Sequence, residues 1–79
     1  MNNKQKYNKV FMDTFSLKEE SLKKNIEYNS IKEWDSVGHM TMIGNLEETF
    51  NIVFEMDDII DFSSYKTGIE ILKKYKIKV

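Results

Sequence analysis

A carboxylate and a hydroxyl stand side by side at Asp35-Ser36, directly before a run of apolar residues. Intervals of three and four place that run on one stripe of a helix, formed by Val37, Met40, Ile43, Leu46 and Phe50. Either Asp35 or Ser36 can cap the helix by accepting from the free N–H groups of its first turn. A serine here is also exposed, and those N–H groups and the helix dipole favour a phosphate on its hydroxyl. From spacing alone, a plain N-cap and a modification site both stay open.

His39 follows Ser36 by three residues, which is about one helical turn. A Ser–His pair can act as nucleophile and base, but a hydrolase also needs an orienting acid and an oxyanion hole in a sheltered cleft. A chain of 79 residues has little room for such a cleft. We therefore expect no catalytic residue, and we expect His39 to be a solvated residue on the helix surface beside Ser36.

Three further segments follow Asp35-Ser36 in an order that can be compared with known families. They are Leu46-Glu47-Glu48-Thr49-Phe50, Asp57-Asp58-Ile59-Ile60-Asp61-Phe62 and a last helix that begins near Ser63-Ser64. In a chain of this size, these segments together resemble the acyl carrier protein family over nearly the whole length. The stretch Trp34-Asp35-Ser36-Val37-Gly38-His39-Met40 is similar to stand-alone bacterial carriers outside the main fatty-acid system.

The resemblance implies that Ser36 carries a 4′-phosphopantetheine arm, attached from coenzyme A by a phosphopantetheinyl transferase. Asp35 would present the hydroxyl, and His39 would lie close to the phosphate. An acyl-loading ligase or acyltransferase would charge the thiol of the arm, and downstream enzymes would use the acyl thioester. The chain itself has no cysteine, so a thioester carrier must take its thiol from such an arm.

The resemblance also implies a face that docks partner enzymes. Its candidate residues are Val37, Met40, Glu47, Glu48, Asp57 and Asp58. Gly38 and Thr41 stand where the fatty-acid carriers usually place acids. This departure favours a dedicated lipid or fatty-acid pathway over bulk fatty acid synthesis.

Composition limits the other classes of function. Residues 1–79 are long enough for one small domain, and a hydrophobic share of 41% favours a packed core over disorder. The absence of cysteine, the single histidine and the lack of a calcium-loop spacing among the acids predict no metal site. No apolar run reaches the roughly 20 residues of a membrane span, and the first residues do not form an apolar signal segment. We expect a cytoplasmic monomer.

Charge is segregated along the chain, although the net charge is only −1. Residues 1–32 carry seven lysines and four acids, residues 33–62 carry eight acids and no Lys or Arg, and residues 63–79 carry five lysines and one acid. The acidic block contains Ser36 and would attract basic partner surfaces while repelling nucleic acid. A solvated acidic face that balances the basic ends would show the same pattern.

The apolar periodicity predicts an all-α four-helix bundle with a long first loop and a short third helix. We expect helices over residues 3–14, 36–51 and 56–61 and a fourth helix capped by Ser63 or Ser64, with a helical turn within residues 18–24. Apolar residues of the loop, including Tyr28, should anchor it on the bundle. Trp34 is either such an anchor or an exposed recognition residue.

Two residue types inside the predicted helices carry further expectations. Gly38, Gly44 and Gly68 each cost helix stability, which indicates close backbone approach or space near a partner rather than turns. The methionines Met40, Met42 and Met56 are expected mostly in the core, where their adaptable side chains could admit an acyl chain.

Two other classes of protein fit the same composition. One is a small helical interaction module without a prosthetic group. The other is an aminoacyl or peptidyl carrier, but that family usually has a Gly-Gly-His-Ser-like approach to its serine. Glu33-Trp34-Asp35 does not match that approach.

Overall fold

A computed structural model describes all residues 1–79, and every regular element in it is helical. The elements are α1 (Asn3–Phe15), a 3₁₀ helix (Glu19–Lys24), α2 (Ser36–Phe50), α3 (Met56–Asp61) and α4 (Tyr65–Lys74). There is no β-strand, only one antiparallel bridge between Glu27 and Ser64. The all-α prediction is confirmed, and the predicted bounds of the first three α-helices agree to within one residue.

Helices α1, α2 and α4 begin at side-chain caps that the sequence supplies locally. Asn2 and Gln5 form a capping box at α1, in which each side chain accepts from the other residue's backbone N–H. Ser64 caps α4 by accepting from the Thr67 N–H at 3.0 Å. At the far ends of α1 and α2, Ser16 and Asn51 take the left-handed conformation, each with φ of 54°.

One cluster of 15 buried apolar residues forms the core. Phe11 lies at its centre, and its ring meets those of Tyr7, Trp34 and Tyr65 at centroid distances of 4.9, 5.5 and 5.3 Å. Helices α1, α2 and α4 and the long loop all contribute, whereas the only apolar side chain that α3 packs against this core is the partly buried Ile59. Apolar packing therefore fixes three helices and the loop much more firmly than it fixes α3.

The long loop between α1 and α2 is attached to the helices at two places. Trp34 is fully buried and stacks on Phe15 at 5.1 Å, which confirms the anchor interpretation. Further back, the Tyr28 N–H donates to the Ser63 carbonyl at 2.9 Å, and the Tyr65 N–H donates to the Ile26 carbonyl at 2.8 Å. The loop thereby joins the start of α2 to the junction between α3 and α4.

The predicted apolar stripe of α2 is wrong at its first two positions. Val37 is 75% exposed and Met40 is 54% exposed, whereas Met42, Ile43 and Leu46 are buried. Successive intervals of three drift around a helix of 3.6 residues per turn, so Val37 and Leu46 lie about 180° apart. The beginning of α2 therefore presents apolar side chains to solvent.

The expectations for methionine and glycine hold only in part. Met42 is buried as predicted, but Met40 and Met56 are exposed. A Cβ at Gly38 would lie 2.0 Å from the Glu33 carbonyl oxygen, and one at Gly68 would lie 2.1 Å from the Phe62 ring, so both mark close approaches. Gly44 has no neighbour within 4 Å, because it lies on the solvent side of α2.

Candidate functional site

The first turn of α2 uses Asp35 as its cap. Asp35 Oδ1 accepts from the Gly38 N–H at 2.8 Å, while the Asp35 carbonyl accepts from the His39 N–H at 2.8 Å. Ser36 is then the first residue of the helix, and it is exposed. The interpretation of Ser36 as a plain N-cap is wrong, because the Asp35 carboxylate caps the helix. The Ser36 hydroxyl is therefore not needed as a cap.

A tyrosine from the long loop meets this hydroxyl. Tyr28 Oη lies 3.0 Å from Ser36 Oγ, and the Tyr28 ring stays exposed instead of entering the core. Tyr28 therefore attaches the loop to the surface of the bundle, at Ser36, His39 and Ser63, and not within the buried core. Nothing in the spacing of Tyr28 and Ser36 predicts their contact, since the loop between them has no regular period.

His39 holds the loop and α3 against α2. Its Nδ1 accepts from the Trp34 Nε1–H at 2.9 Å. Because the indole nitrogen can only donate, Nδ1 carries no proton, and the Nε2–H therefore donates to the Ile59 carbonyl at 2.8 Å. The expectation of a solvated histidine is wrong, since both ring nitrogens are used within the chain. A contact between His39 and a phosphate stays a prediction.

Asp58 is a predicted docking residue, but only 4% of it is exposed, so it cannot meet a partner directly. Its Oδ1 accepts from Lys74 Nζ and its Oδ2 accepts from Tyr75 Oη, both at 2.5 Å. These hydrogen bonds hold the pKa of Asp58 below its ordinary value, and the bond from Lys74 has the largest effect. The carboxylate also raises the pKa of Lys74. Asp58 therefore ties α3 to the end of α4.

The other predicted docking acids divide between structural and exposed positions. Glu47 is half-buried, and its Oε2 accepts from the Phe54 N–H at 2.8 Å, which fixes the link between α2 and α3. Glu48 and Asp57 are exposed. Asp35 is also exposed, although its Oδ1 accepts the capping hydrogen bond. Only the exposed acids can attract a basic surface at full strength.

A groove of about 370 Å³ runs from Ser36 between α2 and α3. We call it the Ser36 groove. Its apolar lining comes from Met40, Met56, Ile59, Ile60 and Phe62, and Tyr28 stands at its edge. Four of the seven large apolar side chains that the molecule exposes line this groove, namely Tyr28, Met40, Met56 and Ile60. Exposed apolar groups gathered in one place are typical of a binding surface.

Nowhere do three His, Asp or Glu side chains converge in a way that could hold a metal ion. None of the helices combines the length and apolar character that crossing a membrane requires. Comparison of the chain with protein-family models, curated proteins and solved structures gave no match, so functional inference rests on the residues themselves.

Proposed function

We propose that this chain is an acyl carrier protein that bears 4′-phosphopantetheine on Ser36. The observation that carries the proposal is an exposed serine hydroxyl at the tip of a 15-residue helix whose cap is a different residue. The all-helical fold, with a long connection before α2 and only six residues in α3, also supports the proposal.

The tip of α2 fits the phosphodiester that the arm would introduce. The backbone N–H groups of Ser36 and Val37 have no partner within the chain, and they point from the positive end of the helix dipole. Both features favour an anion joined to Ser36 Oγ. When bound, the arm supplies the thiol that this cysteine-free chain lacks.

Attachment is a phosphoryl-type transfer in which Ser36 is the nucleophile. Ser36 Oγ attacks the coenzyme A phosphorus that bears the pantetheine, and the bond from that phosphorus to adenosine 3′,5′-bisphosphate breaks. The serine proton passes to a base of the transferase. The chain itself acts as substrate and later as carrier, not as catalyst.

Partner enzymes would dock on the surface around Ser36. Val37 and Met40 offer exposed apolar contacts, and Glu48 and Asp57 are exposed acids within the block of residues 33–62, which has no Lys or Arg. Such a surface suits partners with an apolar contact rimmed by Lys or Arg. Tethering would raise the effective concentration of the cargo at each docked enzyme.

The test is incubation with coenzyme A and a broad-specificity phosphopantetheinyl transferase, followed by intact-mass measurement. We expect the wild-type chain to gain one phosphopantetheinyl group and Ser36→Ala to gain none. An established carrier serves as the positive control. An unmodified wild-type chain beside a modified control would overturn the proposal and favour the interaction module without a prosthetic group.

Charging the holo-protein with fatty-acyl and aminoacyl ligases then identifies the class of cargo. Acylation by the fatty-acyl ligase alone is the expected result. If the holo-protein accepts only amino acids, its function is that of an aminoacyl carrier and not of an acyl carrier.

A further inference from the structure

The Tyr28 phenol is the partner that the fold brings to Ser36 Oγ, at 3.0 Å. The Tyr28 backbone is held by the hydrogen bond from its N–H to the Ser63 carbonyl. Its ring meets His39 edge-on at a centroid distance of 5.6 Å. Tyr28 is therefore held beside the helix tip by Ser63 and His39, and His39 is itself fixed by Trp34 and Ile59.

Modification of Ser36 would fix the direction of this hydrogen bond. In the unmodified chain either hydroxyl can donate to the other. Once Ser36 Oγ is bonded to phosphorus it has no proton, so only the Tyr28 hydroxyl can donate. The acceptors next to it would then be the ester oxygen and the charged oxygens of the phosphodiester. A hydrogen bond to an anionic oxygen is shorter and stronger than a bond between two neutral groups.

We propose that Tyr28 is a positioning residue for the modification of Ser36 and a ligand of the phosphodiester afterwards. This inference rests on the proposed function. Before the transfer, the phenol orients Ser36 Oγ towards the incoming phosphorus. After it, the phenol donates to the phosphodiester and steadies the root of the arm. Tyr28 keeps its own proton throughout, so the atoms and charges of the transfer reaction are unchanged.

The test compares Tyr28→Phe with the wild type in the same transferase assay. The variant keeps the ring and its contact with His39 but lacks Oη. We expect the initial rate of arm attachment to fall about twofold to tenfold, the range for the loss of one hydrogen bond. We also expect the ³¹P resonance of the phosphodiester in the holo-protein to shift, while the circular dichroism and Tm stay those of the wild type.

Tyr65→Phe is the matched control. It removes the phenol hydroxyl that donates to Asn8 of α1 and makes no hydrogen bond to Ser36, so it should change neither the rate nor the ³¹P resonance.

The ³¹P resonance decides the outcome, because docking of the transferase does not affect the spectrum of the finished holo-protein. An unshifted resonance in Tyr28→Phe overturns the inference, even if attachment is slower, since a slower rate alone would reflect contact with the transferase. A wild-type chain that accepts no arm overturns both the proposed function and this inference. If the wild type accepts the arm but the ³¹P resonance of Tyr28→Phe is not shifted, only the role of Tyr28 is overturned.

Discussion

The two sides of α2 are held in different ways. On one side, Met42, Ile43 and Leu46 pack into the aromatic core formed with α1, α4 and the long loop. On the other side, α3 gives no fully buried apolar residue and is held by two polar connections, from Asp58 to α4 and from the Ile59 carbonyl to His39. Apolar packing spreads stabilisation over many contacts, whereas the attachment of α3 depends on a few atoms.

This difference assigns separate tasks to the two regions. The core side fixes the direction of α2 and so the position of the Ser36 hydroxyl. The α3 side forms one wall of the Ser36 groove, with Met56 and Ile60 exposed on it. We expect that wall to open locally at a lower free-energy cost than the core, which would let the groove adapt to different partners.

The largest effect should come from the core. Phe11→Ala removes a ring that is fully buried, and we expect a loss of about 3–5 kcal/mol in the free energy of unfolding, a large share of the stability of a small domain. Ile60→Ala on the exposed face of α3 is the control and should change it by no more than about 0.5 kcal/mol. Urea denaturation followed by circular dichroism measures both. Equal losses would contradict the division between the two regions.

The next effect should come from His39. His39→Ala leaves the buried Trp34 indole N–H and the Ile59 carbonyl without their partners, so we expect a loss of about 1–3 kcal/mol. Hydrogen exchange should show lower protection in α3 and in the loop before Trp34, with the amides of α1 little affected.

Thr41→Ala provides a control on the exposed face of the same helix, where Thr41 Oγ1 donates only to the Val37 carbonyl. Uniform loss of protection across α1 and α3 in His39→Ala would mean that α3 does not open separately from the core.

A smaller effect distinguishes the two residues at the tip of α2. Asp35→Ala removes the N-cap, and we expect it to lower the free energy of unfolding by about 0.5–2 kcal/mol. Ser36→Ala should lower it by less than about 0.5 kcal/mol, because the Ser36 side chain caps nothing. Thermal and urea unfolding of the two variants test this directly. The reverse order would show that Ser36 is the cap in solution.

The last prediction concerns how the attachment of α3 through Asp58 depends on pH. The pKa of Asp58 is lowered in the folded chain, so its hydrogen bonds stabilise the fold fully above its unfolded pKa of about 3.9. That stabilisation is lost as the pH falls through the lower, folded pKa. We expect the difference in Tm between the wild type and Asp58→Asn to shrink as the pH falls below about 4. A difference that stays constant down to acid pH would rule out this ionisation as the cause.

The sequence was sufficient for the helices because helix signals are local. The cap at Ser64 acts on a residue three positions later, and the periodicity of an apolar face is complete within a few turns. The same local signals placed a carboxylate and a hydroxyl at the start of α2 and so identified Ser36 as the candidate. They could not decide which of the two side chains is the cap, because that depends on the backbone conformation where the loop enters the helix.

The chain by itself therefore determined the all-helical class, the bounds of α1, α2 and α3 to within one residue, the absence of a thiol and the position of one serine at a helix start. Only the tertiary structure decided that Tyr28 meets Ser36, that His39 bridges Trp34 and Ile59, and that Asp58 is buried against Lys74 and Tyr75. The physical reason is distance along the chain. The Tyr28–Ser36, His39–Ile59 and Asp58–Tyr75 contacts join residues 8, 20 and 17 positions apart, and the packing of the loop and α4 brings them together.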